Sequence, residues 1–343
     1  MQILENVQLR DYNTFKVPSI ARYFCDVKTV WELDELVNSE IFQSNERYFL
    51  WQWANTIFID DYDGLVVKIS ILWKEILQDD DDYILLKVWA WEIWMDFVLR
   101  CAQNNFAWME NLAYIPSSVW ATAVQNIWAY GVEAKDIIYQ VEWINLLTWK
   151  KEVLDNSYCE FWYRDSIFKS KLKDKFLVTS VIYKLKNFKK WYPFNCEYSW
   201  ILEKMWELWF KLEDISLADF VRVITEIRKS KLPDWEEIGT AWSFFKNPIV
   251  SQDIRENLSK EYINLKWFPW KDWVKLSAWQ LIDLCGLKWK SNWKVWTYSN
   301  HALVLVNEWG AVWSDVVSFC DDIQKSVSNK FWVKLEPEVI LVV

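Results

Sequence analysis

Glycine is scarce in this sequence. The chain of 343 residues contains 5 glycines, whereas ordinary usage would supply about 24. A folded chain of this length makes many turns, and backbone with positive φ admits few other residues. The same chain contains 29 tryptophans. Two interpretations follow: the protein is rich in tryptophan, or many positions written as tryptophan are glycine.

Metal-binding and membrane-spanning patterns are also lacking. One histidine, and cysteines without any C-x-x-C spacing, exclude a structural zinc cluster, so we expect no metal. No run approaches 18 apolar residues, and the polar start M-Q-I-L-E-N-V-Q-L-R is unlike a signal peptide. We therefore expect a cytoplasmic protein without a membrane partner, and reduced thiols at Cys25, Cys101, Cys159, Cys196, Cys285 and Cys320.

The charge balance narrows the class of partner. A net charge of -9 argues against a general nucleic-acid or anionic-membrane binder. Charged residues make up 25% and hydrophobic residues 52% of the chain, a globular balance that argues against disorder. The length favours two or three domains. A local basic pocket for an anionic small molecule remains compatible with this composition.

Hydrophobic periodicity predicts an α+β protein. The predicted helices are 29–39, 94–104, 118–126, 201–210, 217–231, 278–286 and 314–329. The predicted strands are 21–27, 63–70, 178–188, 301–307 and the closing segment E-V-I-L-V-V.

The segment L-W-Q-W-A-N-T (50–56) has the composition of a turn. With glycine at Trp51 and Trp53 it becomes L-G-Q-G-A-N-T, a loop whose backbone N–H groups could approach a pyrophosphate. With tryptophan there, an indole would occupy the space that a phosphate needs.

The segment K-V-W-A-W-E-I-W-M-D-F-V (87–98) changes in the same way. With glycine at Trp89 and Trp91 it reads V-G-A-G-E, a turn that precedes a helix. Trp94 lies on the apolar face of that helix, so we expect it to be a true tryptophan.

A longer motif identifies a family. The segment E-N-L-A-Y-I-P-S-S-V-W-A-T-A-V-Q-N-I-W-A-Y-G-V-E (110–133), with glycine at Trp120 and Trp128, resembles the FAD-binding stretch of UDP-N-acetylenolpyruvoylglucosamine reductases. Ser117 departs mildly from the family, which usually has glycine there. Further matches run through residues 9–340, and they are Y-N-T-F-K-V (12–17), C-E-F-W-Y-R-D-S-I-F-K (159–169), S-K-L-P-D (230–234), I-G-T-A-W-S-F-F-K-N-P-I-V (238–250), L-S-A-W-Q-L-I-D-L-C-G-L-K-W-K (276–290), H-A-L-V-L-V-N (301–307) and L-E-P-E-V (335–339).

Nine tryptophans fall where this family has glycine. We therefore hypothesise that the gene comes from a lineage that reads UGA as glycine, and that its UGA codons are written here as tryptophan. The positions are Trp51, Trp53, Trp89, Trp91, Trp120, Trp128, Trp162, Trp242 and Trp289.

The resemblance implies an α+β flavoprotein whose FAD-binding fold resembles that of vanillyl-alcohol-oxidase-type enzymes. It implies two FAD-binding subdomains (1–72 and 73–201), a substrate-binding α+β domain (202–330) and a C-terminal strand with a catalytic glutamate (331–343). The expected reaction converts UDP-N-acetylglucosamine enolpyruvate to UDP-N-acetylmuramate for peptidoglycan synthesis. The expected cofactor is non-covalent FAD, and the expected co-substrate is NADPH. We also expect a monomer that does not bind nucleic acid.

The resemblance also implies site residues. Arg164 matches the arginine that stabilises charge on the enolpyruvyl carboxylate, and Ser243 matches the proton donor. Glu338 matches the third catalytic residue; Glu336 is its rival, two positions away. The expected cofactor residues are Trp51, Gln52, Trp53, Ala54, Asn55, Thr56, Pro116, Ser117, Ser118, Val119, Asn126, Ile127 and Tyr130. The expected substrate residues are Tyr163, Tyr198, Lys231, Lys246, Asn247 and His301.

Three other interpretations stay open at this point. An FAD-dependent oxidase of the same fold would oxidise its substrate directly with oxygen. A tryptophan-rich protein that binds carbohydrate or lies at a membrane interface would display its indoles at regular spacing on one face. Finally, the chain as written could be an inactive version of the reductase, because indoles at glycine sites would block FAD and strain the turns.

Overall fold

The computed structural model describes residues 1–50, 56–188, 192–308 and 310–342. Its strands are β1 (Ile3–Gln8), β2 (Ile20–Val27), β3 (Arg47–Leu50), β4 (Thr56–Phe58), β5 (Tyr62–Ile69), β6 (Lys74–Asp79), β7 (Tyr83–Trp89), β8 (Phe106–Ala107), β9 (Trp128–Ala129), β10 (Val132–Glu133), β11 (Ile138–Asn145), β12 (Lys151–Asp155), β13 (Phe176–Asn187), β14 (Gly239–Ser243), β15 (Ile249–Val250), β16 (Trp267–Trp270), β17 (Trp273–Leu276), β18 (Val295–Thr297), β19 (Val304–Asn307) and β20 (Ile340–Val342). Its α-helices are α1 (Val30–Val37), α2 (Glu40–Ser44), α3 (Trp94–Gln103), α4 (Trp120–Gln125), α5 (Ser199–Glu207), α6 (Leu217–Lys231), α7 (Gln252–Glu261), α8 (Ala278–Leu284) and α9 (Trp313–Phe331).

The chain divides into two compact units. The first contains residues 1–2, 25–52 and 67–230, and the second contains residues 3–24, 53–66 and 231–343. The chain passes from one unit to the other within β2 and within β5.

The first unit contains an antiparallel sheet with the strand order β12-β11-β13-β7-β6, and β8 also pairs with β13. The twelve-residue strand β13 is central, and its first ten residues are mostly buried. Trp94 at the start of α3 is fully buried beside Phe97 and Tyr183. Its indole N–H donates to the carbonyl oxygen of Leu112 at 2.9 Å, which satisfies the buried polar atom.

The described part of the second unit includes three small sheets. Two have the orders β14-β19-β18 and β15-β17-β16, and in the third β20 pairs in parallel with β4. Helix α9 buries an apolar face of Val316, Phe319, Ile323 and Val327 in the core of this unit, at the spacing that a helix requires.

Most predicted elements are confirmed within one to three residues, and α6 matches its predicted range. Two predicted strands begin later than expected. The strand predicted for 301–307 begins at Val304, because the Tyr298 N–H donates to the Val304 carbonyl oxygen and closes a turn. The closing strand begins at Ile340, so Glu338 lies before it rather than in it.

Three observations bear on membrane insertion, thiol state and metal binding. No helix in the described ranges is long and apolar enough to cross a membrane. The six cysteines are free. Among the residues that the structure describes, no cluster of three or more histidine, cysteine or acidic side chains could hold a metal ion.

Candidate functional site

Ser243 lies at a bulge in the second unit. Thr240 pairs with Val306 and Ser243 pairs with Val304, so strand β14 carries an extra residue relative to β19. Trp242 occupies the bulge with a φ of 55°. A bulge with a left-handed residue bends the strand and redirects the next side chain. The bulge therefore changes the backbone orientation at Ser243.

Glu338 lies beside this bulge. Its backbone N–H donates to the carbonyl oxygen of Phe244 at 2.8 Å, and the Lys246 N–H donates to the Glu336 carbonyl oxygen at 2.9 Å. The two segments therefore pair antiparallel and bring Glu338 next to Ser243 along the backbone. The exposed Glu336 carboxylate faces the Lys246 ammonium at 3.9 Å instead. This pairing favours Glu338 over Glu336 as the carboxylate of the site.

Basic groups lie near His301 in the same unit. Burial, with smaller effects from the charges of Lys231 and Lys288, lowers the pKa of His301 to about 4. His301 is therefore neutral near pH 7. The Asn247 side-chain oxygen accepts from the Ala278 N–H at 2.9 Å, so it caps the first turn of α8.

Arg164 lies in a tight turn of the first unit. Trp162 and Asp165 exchange backbone hydrogen bonds of 2.9 and 3.2 Å, with Tyr163 and Arg164 between them. Arg164 has a φ of 55°. Its carbonyl oxygen accepts from the Lys169 ammonium at 3.1 Å, which helps to fix the turn.

Asn126, in the motif at 110–133, is hydrogen-bonded to the turn that contains Arg164. Its buried side-chain amide donates to the Trp162 carbonyl oxygen at 2.9 Å and to a Glu133 carboxylate oxygen at 2.6 Å. Its side-chain oxygen accepts from the Lys135 N–H at 3.0 Å. With a φ of 44°, Asn126 ends α4 in the left-handed conformation, which asparagine tolerates. Ile127 follows it and is buried.

The segment 116–119 folds onto the turn before α3. The Val119 N–H donates to the Glu92 carbonyl oxygen at 2.9 Å, and the Ser117 carbonyl oxygen accepts from the Trp94 N–H at 2.8 Å. Ser117, Ser118 and Val119 are buried, whereas Pro116 is partly exposed. A compact backbone of this kind is what close approach to a pyrophosphate requires.

The indoles of Trp89 and Trp91 fit this place poorly. Their ring centroids are 5.6 Å apart. Both indole N–H groups are buried and have no hydrogen-bond partner within the part of the chain that the structure describes. Such groups are costly, because they lose their hydrogen bonds to water. The backbone here suits a bound FAD, but these two side chains do not.

Arg228 lies beside Tyr130, and the sequence motifs did not point to it. Its Nε–H donates to the Tyr114 carbonyl oxygen at 2.9 Å, and its guanidinium lies 5.9 Å from the Tyr130 ring centroid. Burial and the neighbouring Arg164 charge lower the pKa of Arg228. The guanidinium groups of Arg228 and Arg164 are therefore close enough for their charges to interact. The apolar spacing of α6 could have indicated this position. Arg228 follows the buried Ile224 by four residues, so both lie on the same face of the helix.

The other predicted site residues are placed as follows. Trp51, Gln52, Trp53, Ala54 and Asn55 lie outside the described residues. Thr56 is buried and pairs with Ile340 across the two parallel strands. Tyr198 is the N-cap residue that precedes α5, and its ring centroid is 6.0 Å from that of Tyr130.

Comparison with known protein families gives two matches. Residues 234–342 match the C-terminal domain of UDP-N-acetylenolpyruvoylglucosamine reductase, and residues 52–155 match an FAD binding domain.

Relatives match the whole chain. UDP-N-acetylenolpyruvoylglucosamine reductase of Flavobacterium johnsoniae is 37% identical over 340 residues, with 99% of each chain covered. The protein of the same name from Bdellovibrio bacteriovorus is 35% identical, with 99% of each chain covered. The fold is similar to the crystal structure of UDP-N-acetylenolpyruvylglucosamine reductase from Thermus caldophilus. The two chains superpose with a TM-score of 0.66 over the full length of both, at 20% sequence identity. The predicted α+β FAD-binding fold is confirmed.

Proposed function

The chain belongs to the UDP-N-acetylenolpyruvoylglucosamine reductase family, an FAD-containing group of oxidoreductases in peptidoglycan synthesis, and we propose a specific course for its reaction. NADPH is the electron donor. The substrate is UDP-N-acetylglucosamine enolpyruvate, and the product is UDP-N-acetylmuramate. The observation that carries the proposal is the pairing that places Glu338 beside Ser243.

When bound, FAD would supply the hydride chemistry between NADPH and the enolpyruvyl group, and the protein would bind and orient it. The residues proposed to hold FAD lie in two segments, L-W-Q-W-A-N-T (50–56) and the motif at 110–133. They are Trp51, Gln52, Trp53, Ala54, Asn55, Thr56, Pro116, Ser117, Ser118, Val119, Asn126, Ile127 and Tyr130.

Ser243 donates a proton to the carbon next to the one that receives hydride. A hydroxyl is a weak acid, but an enolic carbon is basic enough to take its proton when the geometry is fixed. The backbone bulge at Trp242 supports this role, because it constrains the chain immediately before Ser243.

Arg164 binds the enolpyruvyl carboxylate, on which negative charge develops as the hydride arrives. Its planar guanidinium can donate two parallel hydrogen bonds to a carboxylate. The turn from Trp162 to Asp165 holds its backbone. Glu338 acts with Arg164 on the enol, and this role is assigned from its match to the family.

Cationic and polar side chains bind the sugar nucleotide. Lysines near a diphosphate gain charge-assisted hydrogen bonds that their solvated forms lack. The neutral state of His301 lets it donate or accept a hydrogen bond without adding charge. The proposed substrate residues are Tyr163, Tyr198, Lys231, Lys246, Asn247 and His301.

The wider organisation is also part of the proposal. The enzyme acts as a monomer in the cytoplasm, where NADPH and nucleotide sugars are available, without a nucleic-acid or membrane partner. We assign FAD binding to two subdomains (1–72 and 73–201) and substrate binding to a third domain (202–330). The C-terminal segment (331–343) carries the catalytic glutamate. The net charge of -9 supports the absence of polyanionic partners.

Anaerobic flavin spectra test this function. NADPH should bleach the flavin, and UDP-N-acetylglucosamine enolpyruvate should restore its absorbance. An oxidase of the same fold would instead resist NADPH and would recover its flavin absorbance only when oxygen is admitted. That second outcome would overturn the proposal.

A further inference from the structure

Seven tryptophans have a backbone conformation that bulky residues avoid. Their φ angles lie between 54° and 93°, whereas a bulky residue with positive φ is an outlier. Only ten other non-glycine residues of the described chain share this feature, and three of those are asparagines. The seven are Trp108, Trp149, Trp209, Trp242, Trp289, Trp293 and Trp332.

Trp209 ends helix α5 in a Schellman motif. Its N–H donates to the Trp206 carbonyl oxygen at 3.0 Å, and the Phe210 N–H donates to the Met205 carbonyl oxygen at 2.8 Å. Its φ is 64° and its surface is 93% exposed. Glycine dominates this position of the motif, because it has no Cβ to clash.

Trp332 ends helix α9 in the related left-handed cap. Its N–H donates to the Ser328 carbonyl oxygen at 2.9 Å, and its φ is 58°. The indole is 88% exposed and projects into solvent. Neither burial nor a helical backbone explains a tryptophan here.

The other positions are turns and a bulge. Trp149 closes the hairpin loop between β11 and β12, with its N–H on the Asn145 carbonyl oxygen at 2.6 Å. Trp293 lies in the turn that Asn292 and Val295 close. Trp242 occupies the bulge next to Ser243. Hairpin loops and bulges use glycine at their left-handed residue.

Trp94 and Trp206 provide the contrast. Both lie in helices, where tryptophan has an ordinary backbone. Trp94 is fully buried and donates its indole N–H to Leu112. Left-handed φ therefore does not accompany tryptophan in general, but marks particular positions.

We propose that the native polypeptide has glycine at these seven positions. Five of them are assigned by backbone conformation alone, because the sequence motifs pointed only to Trp242 and Trp289. The five are Trp108, Trp149, Trp209, Trp293 and Trp332. This proposal does not depend on the proposed function.

The gene itself gives the first test. We expect UGA at all seven codons and UGG at Trp94, and peptide masses from the native host should show glycine at the seven. UGG codons at Trp209 and Trp332, or peptides there with the mass of tryptophan, would overturn the proposal.

A matched pair of variants gives the second test. The starting protein has glycine at the other six positions and at the motif positions Trp51, Trp53, Trp89, Trp91, Trp120, Trp128 and Trp162, so that it folds. Trp209→Gly should raise its melting temperature, because it relieves a left-handed tryptophan, whereas Trp206→Gly should lower it by weakening a helix. Both side chains are exposed and lie three positions apart. Equal falls for the two variants would contradict the proposal.

A different observation supports a second inference. The segment 192–198, which carries Tyr198, is attached to two buried residues. The Tyr192 hydroxyl donates to a Glu110 carboxylate oxygen at 2.7 Å, and the Asn111 amide donates to the Asn195 carbonyl oxygen at 3.0 Å. Glu110 is 3% exposed and Asn111 is 1% exposed.

Asn111 also contacts Tyr130, one of the residues proposed to hold FAD. The Asn111 amide donates to the Tyr130 carbonyl oxygen at 3.1 Å. A Cβ on Gly131, whose φ is 82°, would lie 2.9 Å from the Asn195 side-chain nitrogen. The absence of a side chain at Gly131 therefore lets segment 192–198 pack directly on the motif.

On the basis of the proposed function, we infer that Glu110 and Asn111 are positioning residues that hold Tyr198 for the sugar nucleotide. They act through Tyr192 and Asn195, and not by contact with the reacting atoms. Loss of the hydrogen bond to the Glu110 carboxylate releases the start of the segment, while the aromatic neighbours Phe188 and Phe194 still pack on Tyr192.

Tyr192→Phe in the flavin-loaded enzyme tests this role. The KM for the sugar nucleotide should rise about tenfold, a size in line with the loss of one buried hydrogen bond. The kcat, FAD content and rate of flavin reduction by NADPH should stay within about twofold. Tyr158→Phe, at an exposed tyrosine, is the control. Glu110→Gln should resemble the starting enzyme more than Glu110→Ala, because the amide oxygen still accepts.

Hydrogen exchange gives a readout that does not require turnover. Tyr192→Phe should speed exchange of the backbone amides in 192–198. Unchanged KM and exchange would overturn the inference, as would an equal fall in FAD content and both half-reactions. An enzyme that NADPH does not reduce even before substitution would instead contradict the proposed function.

Discussion

The backbone N–H of Glu338 donates to the carbonyl oxygen of Phe244 at 2.8 Å, one residue after Ser243. This bond joins two motifs that lie far apart in the chain. It brings a hydroxyl and a carboxylate to neighbouring backbone positions, as protonation of an enolic carbon would require.

Ser243→Ala should separate the two half-reactions. Flavin reduction by NADPH should continue, whereas flavin reoxidation by the sugar nucleotide should slow by about 10²–10⁴, the range of a lost acid–base group. Stopped-flow absorbance measures both rates. Ser328→Ala, on the exposed face of α9, is the control. Equal slowing of both half-reactions would exclude Ser243 as the specific proton donor.

Arg164→Lys should retain a positive charge but lose the planar donor pair. We expect kcat/KM for the sugar nucleotide to fall about 10²–10³, the cost of a missing transition-state donor, with FAD content unchanged. Arg22→Lys, at an exposed arginine paired with Asp63, is the matched control. Steady-state kinetics at saturating NADPH measures the effect. Comparable kinetics for both variants would remove Arg164 from carboxylate binding.

His301 should make folding stability depend on pH. Burial and then Lys231 and Lys288 lower its folded pKa to about 4, whereas the unfolded value is near 6.5. Between these values the unfolded chain binds a proton that the folded chain does not. The free energy of unfolding should therefore fall as pH drops from about 6.5 to about 4, and this contribution is constant above that window.

His301→Gln should remove this part of the pH dependence. Urea unfolding of both proteins at about pH 7.5 and about pH 5 isolates it, because other groups cancel in the difference. A difference between the two proteins that does not change with pH would contradict the buried, neutral state of His301.

The chain with tryptophan at every written position should fold poorly or lack flavin. Buried indole N–H groups at Trp89 and Trp91 and left-handed tryptophans add costs that are large against a typical stability of about 5–15 kcal/mol. Glycine at the nine motif positions and the seven left-handed ones should restore yellow protein, measured as flavin that co-elutes on gel filtration. A yellow, active preparation with verified Trp51 and Trp53 would refute this.

Local patterns predicted much of the fold. Helix α6 has the predicted range because its apolar spacing is regular. The late start of β19 at Val304 was not visible, because a turn hydrogen bond from Tyr298 decides it. The place of Glu338 before β20 depends on pairing with Phe244, which is a long-range contact.

Site residues that lie in sequence motifs could be predicted. Residues whose position depends on tertiary packing could not. Arg164, Ser243 and Glu338 stand in recognisable segments, and their roles remain predictions. Arg228 lies in no motif, and its inward position follows from its helix face and from the neighbouring Tyr130.

Product analysis tests the central claim most directly. Flavin-loaded protein is incubated without oxygen with NADPH and UDP-N-acetylglucosamine enolpyruvate, and the products are quantified by mass spectrometry. We predict one UDP-N-acetylmuramate for each NADPH oxidised. NADPH oxidation without that product, or no NADPH oxidation by a protein that retains FAD, would contradict the account.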